Sequence, residues 1–198
     1  MPARSRLLVL LWPLGCVPFC VLLWQGLSGV LGPDPAKVFV ASLGWWALVA
    51  LIATLAVRPV AITLRQPWLV AARRTLGLLA FAYASIHLVA WSWLLLGWDW
   101  GYIGGELNKR PYILVGFSAW LLMLPLALTS TRASRRKMGA RWQKLHKLIF
   151  PAVLLGLIHD TWIQKSGYGE QLFFLIVLLG LFAWRFKESQ KRRKNSQK

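Results

Sequence analysis

The chain has 198 residues, 57% of them hydrophobic, with 24 Lys and Arg against six Asp and Glu and a formal net charge of +18 at pH 7. So apolar a composition excludes an ordinary soluble domain. The charge would suit a nucleic-acid binder if it formed one basic surface, so its distribution along the chain decides what it means.

A helix crossing roughly 30 Å of hydrocarbon at about 1.5 Å per residue needs about 20 apolar residues. Six stretches qualify: Leu7 to Val30, Val38 to Val57, Thr75 to Gly97, Pro111 to Thr129, Leu145 to Ile163 and Gln171 to Phe186. The first, led by Arg4 and Arg6, has the outline of a signal peptide. Its apolar run is too long, contains Pro13 and Pro18, and is followed by no clear small-x-small site, so an uncleaved span is expected. Cys16 and Cys20, one turn apart within it, are expected to pack rather than form a disulfide framework or a zinc site. Gly32-Pro33-Asp34-Pro35 reads as a tight turn into the second span. Pro111 suits the opening of the fourth, where its missing N–H costs little. The longest connections, Arg58 to Arg74 and Ser130 to Lys144, are basic.

With six spans and a cytoplasmic amino terminus, 20 of the 24 Lys and Arg fall on the cytoplasmic side, leaving Lys37, Lys109, Arg110 and Lys165 outside. That skew is the positive-inside rule, and it assigns the charge to topology rather than nucleic acid. Five carboxylates, Asp34, Asp99, Glu106, Asp160 and Glu170, fall on the outer side. Trp24, Trp45, Trp46, Trp91, Trp93, Trp98, Trp100 and Trp162 collect toward the outer boundary, and Trp68, Trp142 and Trp184 toward the inner one. The expected fold is therefore all-α, an integral membrane bundle of six transmembrane helices with both termini cytoplasmic. Residues 1–186 form the transmembrane domain and residues 187–198 a basic, disordered cytoplasmic tail. No dinucleotide or phosphate-binding loop occurs, so any redox function borrows its electrons from elsewhere.

The only histidines are His87, His146 and His159, each in or at the end of an apolar segment. Ionisable side chains inside a bilayer are costly and usually serve a pathway, a relay or a cofactor. His87 and His159 both lie about 18–21 Å from the inner boundary, counting about 1.5 Å per residue. Two neutral imidazoles at one level on different helices can supply both axial ligands of a haem iron. His146 lies at the inner boundary, where the third span offers Arg73 and Arg74 instead of a second histidine. A guanidinium is a poor iron ligand but suits a haem propionate. An inner haem on His146 with Arg73 or Arg74 at its carboxylates competes there with a simple lipid head-group contact. On an ideal helix His146 and His159 point about 140° apart, and Pro151 between them offers a kink that would change this phase.

Several stretches resemble the MsrQ family, formerly YedZ: Arg73-Arg74-Thr75-Leu76-Gly77-Leu78 running to Ser85-Ile86-His87-Leu88, Asn108-Lys109-Arg110-Pro111-Tyr112, Leu128-Thr129-Ser130-Thr131 and Trp142-Gln143-Lys144-Leu145-His146. The likeness spans about residues 32 to 165. It implies a ferric-reductase-like transmembrane subunit of the bacterial inner membrane that takes electrons from the quinone pool, or from a cytosolic flavin reductase. These would pass through b-type haem, one or two per chain, to MsrP, a periplasmic molybdenum-cofactor enzyme that reduces methionine sulfoxide in oxidised envelope proteins. The resemblance implies His87 and His159 as ligands of the outer haem, His146 as the inner candidate, and FMN as a further cofactor without assigned residues. Two departures stand out. Ala41-Ser42-Leu43-Gly44 replaces a His-Phe-Thr-Gly-like element, and Asp160 follows His159 where an aromatic residue is usual. Asp99, Glu106 and Glu170 are candidates for docking the partner. Two other readings stay open: a stand-alone ferric or quinone reductase, and a non-redox transporter or assembly factor using the histidines as a proton relay.

Overall fold

The computed structural model describes residues 3–165 and 167–195, and among them every regular element is helical. The α-helices are α1 (Ala3–Leu27), α2 (Pro35–Thr63), α3 (Ala72–Ala90), α4 (Trp100–Lys109), α5 (Pro111–Leu128), α6 (Arg132–Met138), α7 (Ala140–Leu145), α8 (Ile149–Ile163) and α9 (Gly169–Asn195). In lipid the backbone has no water to bond, so helices are the economical solution for such apolar sequence. Their hydroxyls are kept from competing by bonding the carbonyl one turn back, as Thr54 does to Ala50, Ser85 to Phe81 and Thr161 to Leu157.

Among the described residues five helical runs are long and apolar enough to cross a membrane: Val9–Leu27 in α1, all of α2, Pro67–Leu95 through α3, α5 and α9. The expected fifth span, Leu145 to Ile163, is where the structure departs. Its helix begins at Ile149, not Leu145, because a 3₁₀ turn at His146–Leu148 separates it from α7. At 15 residues it is about 22 Å long, shorter than the roughly 30 Å of hydrocarbon. Pro151 sits in its first turn, where a missing N–H is tolerated, so it makes no kink between the histidines.

Other boundaries shift as well. The second span extends through Pro59 to Thr63, and the Arg58 to Arg74 connection becomes helix end, 3₁₀ turn (Pro67–Ala71) and helix start. The Ser130 to Lys144 connection holds α6 and α7, joined at Gly139, whose φ of +50° favours glycine. The stretch expected as a disordered tail continues α9 to Asn195; residues 196–198 lie outside the described part. Pro111 does open α5.

The centre is a four-helix arrangement in which α2 packs on α3, α5 packs on α8, and these pairs join through α2–α8 and α3–α5 contacts. Its core includes Leu51, Leu55, Met123, Val153 and Leu157, with Ala80 and Ala152 fully buried where the helices approach closely. Without a hydrophobic drive between helices in lipid, such small residues permit the packing that holds them together. Outward-facing Leu, Val, Phe and Trp side chains form the apolar sheath a bilayer requires.

α1 and α9 flank this centre. The Tyr83 hydroxyl of α3 inserts into α1, accepting from Phe19 N–H at 3.1 Å and donating to the Gly15 carbonyl at 2.7 Å. It thereby ties α3 to two backbone groups one turn apart on α1. Cys16 and Cys20, expected to pack, are both exposed. α9 is tied at both ends: Trp45 Nε1 donates to Glu170 at 3.1 Å, and Arg185 donates to the Leu55 carbonyl at 2.9 Å.

Tyr83→Phe removes the bonds to the Gly15 and Phe19 backbone groups. The expected cost is about 1–3 kcal/mol, seen as a lower thermal midpoint in detergent and faster amide exchange at Phe19. No change in either would show that the bridge carries no stability.

Candidate functional site

The two central helix pairs each carry one histidine inward. The imidazoles of His87 on α3 and His159 on α8 meet with ring centroids 6.2 Å apart and planes at 83°. The equal depth expected from residue counting is thus what the fold delivers.

Each ring is held from behind by the helix paired with its own. His87 Nδ1 lies 2.8 Å from the Val40 carbonyl on α2, and His159 Nδ1 lies 2.7 Å from the Tyr112 carbonyl on α5. A carbonyl only accepts, so Nδ1 carries the proton in both rings and Nε2 keeps its lone pair for a ligand. Metal-bound histidines are ordinarily oriented by this kind of bond.

Both contacts depend on a glycine one turn beyond the carbonyl. A Cβ on Gly44 would stand 3.1 Å from His87 Nδ1, and a Cβ on Gly116 would stand 2.6 Å from His159 Nδ1. In both pairs the histidine follows its carbonyl by 47 residues. Carbonyl, glycine and imidazole therefore recur at identical spacing in α2–α3 and α5–α8. Gly44 belongs to the Ala41-Ser42-Leu43-Gly44 departure noted in the sequence, where no histidine competes for the space.

The spacing can be tested against a shared metal ion. Bonds of about 2.0–2.1 Å to each nitrogen, plus about 1.1 Å from nitrogen to ring centre, put the centroids of two imidazoles on opposite sides of one ion about 6.2–6.4 Å apart. The observed 6.2 Å fits. Among the described residues no cluster of three or more His, Cys, Asp or Glu offers a rival metal site.

His146 does not join this pair. It lies in the 3₁₀ turn before α8, stacked on Trp142 at a centroid distance of 3.8 Å, with Nδ1 3.1 Å from the Trp142 carbonyl. Its Nε2 is buried and makes no well-formed hydrogen bond, with the Leu126 carbonyl as its near neighbour. An unsatisfied buried nitrogen is costly, so this atom too is suited to a ligand. Trp142 is fixed in turn by donating Nε1–H to the Thr129 carbonyl at 2.9 Å and by the Arg135 guanidinium 5.4 Å above its ring. The Thr129 and Trp142 stretches singled out in the sequence thus meet at His146. Arg73 is half-buried and within electrostatic range of His146, whereas Arg74 is exposed.

Each outer carboxylate has a partner within the chain, and Asp99 and Glu170 remain exposed. Asp99 caps α4 by accepting from Tyr102 N–H, Glu106 pairs with Arg110 at 2.7 Å, and Glu170 accepts from Trp45. Asp160 accepts from Gln171 Nε2 at 2.8 Å, and Asp34 pairs with Lys37, whose hydrogen bond holds the carboxyl below its usual range. The sequence reading missed α4 and the positioning residues Val40, Gly44, Tyr112 and Gly116. Their signal was present: a glycine at the same separation before each of two histidines.

A family model described as ferric reductase like transmembrane component matches residues 41–157, which include His87 and His146 and stop two residues before His159. The chain is 44% identical to a protein of Xanthomonas euvesicatoria pv. vesicatoria over 82% of its length and 74% of that relative's. It is 43% identical to one of Xanthomonas campestris pv. campestris, strain 8004, over 85% and 80% respectively. Both are named protein-methionine-sulfoxide reductase heme-binding subunit MsrQ. No solved structure matches the chain.

Gly116→Ala is expected to push the His159 ring off its carbonyl and weaken binding of a porphyrin iron about 10–100-fold, with a smaller loss for Gly44→Ala, whose Cβ has more room. Titration of the purified variants with ferric porphyrin measures both. Equal wild-type affinity in Gly116→Ala would mean that the glycine does not position the ring.

Proposed function

The chain belongs to the MsrQ family of haem-binding subunits, within the ferric-reductase-like transmembrane group, and on that footing we propose that it is a b-type haem electron-transfer subunit of the bacterial inner membrane. The observation that carries this reading is the facing of His87 and His159 at 6.2 Å with both Nδ1 atoms engaged behind them. Bound between them, haem supplies a one-electron carrier at a depth no soluble donor reaches.

The residues' own work is ligation, orientation and exclusion of water. His87 and His159 would hold a haem iron through Nε2, and the Val40 and Tyr112 carbonyls fix their tautomer and would strengthen them as donors. Gly44 and Gly116 allow the rings to lie flush against the neighbouring helices. The Phe81–Trp120–Phe117 stack, with Trp120 Nε1–H donating to Ser85 at 2.9 Å, closes the α3–α5 seam near His87 with apolar surface.

A second, inner haem is proposed on His146, by its buried Nε2, which makes no well-formed hydrogen bond, with Arg73 and Arg74 as partners for propionates. Six membrane-embedded helices, with α8 and its preceding turn as the short fifth, and both termini in the cytoplasm complete the reading. The basic residues at one end and carboxylates at the other support that orientation. Electrons would enter from the quinone pool or a cytosolic flavin reductase and leave to a periplasmic molybdenum-cofactor methionine-sulfoxide reductase, MsrP, for repair of oxidised envelope proteins. FMN, which the resemblance implies, has no residue in this scheme.

His87→Ala and His159→Ala are each expected to abolish a low-spin haem signal in reduced-minus-oxidised spectra. Retention of the wild-type spectrum by both would overturn the pairing, and colourless, folded protein from haem-replete cells would overturn the haem reading altogether. His146→Ala is expected to remove a second or high-spin signal and spare the first; unchanged haem stoichiometry would remove the inner haem. Co-purification with MsrP separates this function from a stand-alone reductase.

A further inference from the structure

At the basic end of the bundle, α2, the 3₁₀ turn and α3 line an open cavity of about 450 Å³, bordered by Arg58, Arg65 and Arg73 and by apolar Ile62, Pro67 and Val70. Arg58 and Arg73 repel one another and Arg185 beside them, and none of the three arginines lining the cavity has an acidic partner among the described residues. Arg58 and Arg73 are half-buried, so water screens their charge incompletely.

Arg65 enters by an unusual route. α2 ends with Arg65 N–H bonded to the Ile62 carbonyl and Gln66 N–H to the Ala61 carbonyl, a pattern that places its next residue in the left-handed region. That residue is ordinarily glycine; here it is Arg65, with φ of +53°. The backbone thus accepts a conformation costly for a side chain, and the turn delivers a third guanidinium to the cavity.

The surroundings select the occupant. Ile62 and Val70 are exposed apolar residues of the pocket wall, and Trp68 of the 3₁₀ turn donates Nε1–H to Gln66, as an indole at a membrane boundary can. A small aqueous anion would meet the guanidiniums but leave this apolar collar bare. We propose that the cavity binds the phosphodiester headgroup of an anionic phospholipid, its phosphate between Arg58 and Arg65 and its acyl chains along the exposed flank of α2 and the 3₁₀ turn, a site separate from the haem carboxylates proposed for Arg73 and Arg74. Basic pockets between membrane helices recognise headgroups in this way.

The test is native mass spectrometry of the full chain in detergent with phosphatidylglycerol or phosphatidylcholine, alongside the haem spectrum. Phosphatidylglycerol is expected to be retained preferentially. Arg65→Gly and Arg58→Gln should each weaken it about fivefold, while Arg132→Gln, a surface charge elsewhere, should not. Arg65→Gly suits the backbone, so its thermal midpoint should not fall.

Equal retention of both lipids, unchanged binding in Arg65→Gly and Arg58→Gln, or an equal loss in Arg132→Gln would overturn the proposal. So would full displacement by millimolar inorganic phosphate or by FMN, which would make the site one for a soluble phosphate. Loss of the wild-type haem spectrum in Arg65→Gly would reassign the cavity to haem carboxylates. Lipid binding is read without haem, so a colourless protein would end the electron-transfer reading while leaving this test intact.

Discussion

An imidazole N–H bonded to the main-chain carbonyl of a neighbouring helix is the contact on which this bundle turns. In an apolar medium a ring N–H without an acceptor is costly, and few side-chain acceptors are available there. The carbonyls of Val40 and Tyr112 each have a second lone pair beyond the one a helix uses. Reaching it requires that the helices approach closely, which Gly44 and Gly116 allow. One bond per helix pair thus sets the rotation of α3 on α2 and of α8 on α5, and both rings arrive with Nε2 available at one level.

The flanking elements hold this arrangement without entering it. Tyr83 fastens α1 by a hydroxyl bonded to two of that helix's backbone groups, and α9 is pinned at opposite ends by Trp45–Glu170 and Arg185–Leu55. Gln171 holds Asp160, the residue after His159, at 2.8 Å. The polar side chain that most distinguishes this edge of the site is therefore satisfied by α9. In a medium that offers no drive for helix association, these few directional contacts matter more than the buried leucines they accompany.

Most of the helices and the pairing of His87 with His159 were legible in the sequence because both signals are set by the bilayer. Apolar length and depth can be counted along a chain whose rise per residue is constant. What escaped was local. The start of α8 and the helices between Ser130 and Lys144 depend on turns at Gly139 and His146, and α4 on the turn at Gly97 and Trp98 and the Asp99 cap, none of which an apolar period reports. The count of six spans accordingly reduces to five by length and composition, with α8 too short to qualify. The partners of the outer carboxylates escaped as well, because sequence shows a charge and not what it bonds. The glycines behind the rings escaped for a different reason: each has meaning only once two helices are paired.

α9 leaves the apolar segment near Arg185 and stays helical to Asn195. At about 1.5 Å per residue that continuation projects roughly 15 Å as a stiff spoke. Lys187, Lys191 and Lys194 are spaced along it, anchored at the root by Arg185 on Leu55. Any anionic surface approaching this end would meet cations carried along one helix, so the direction in which α9 leaves the bundle decides where that charge is displayed.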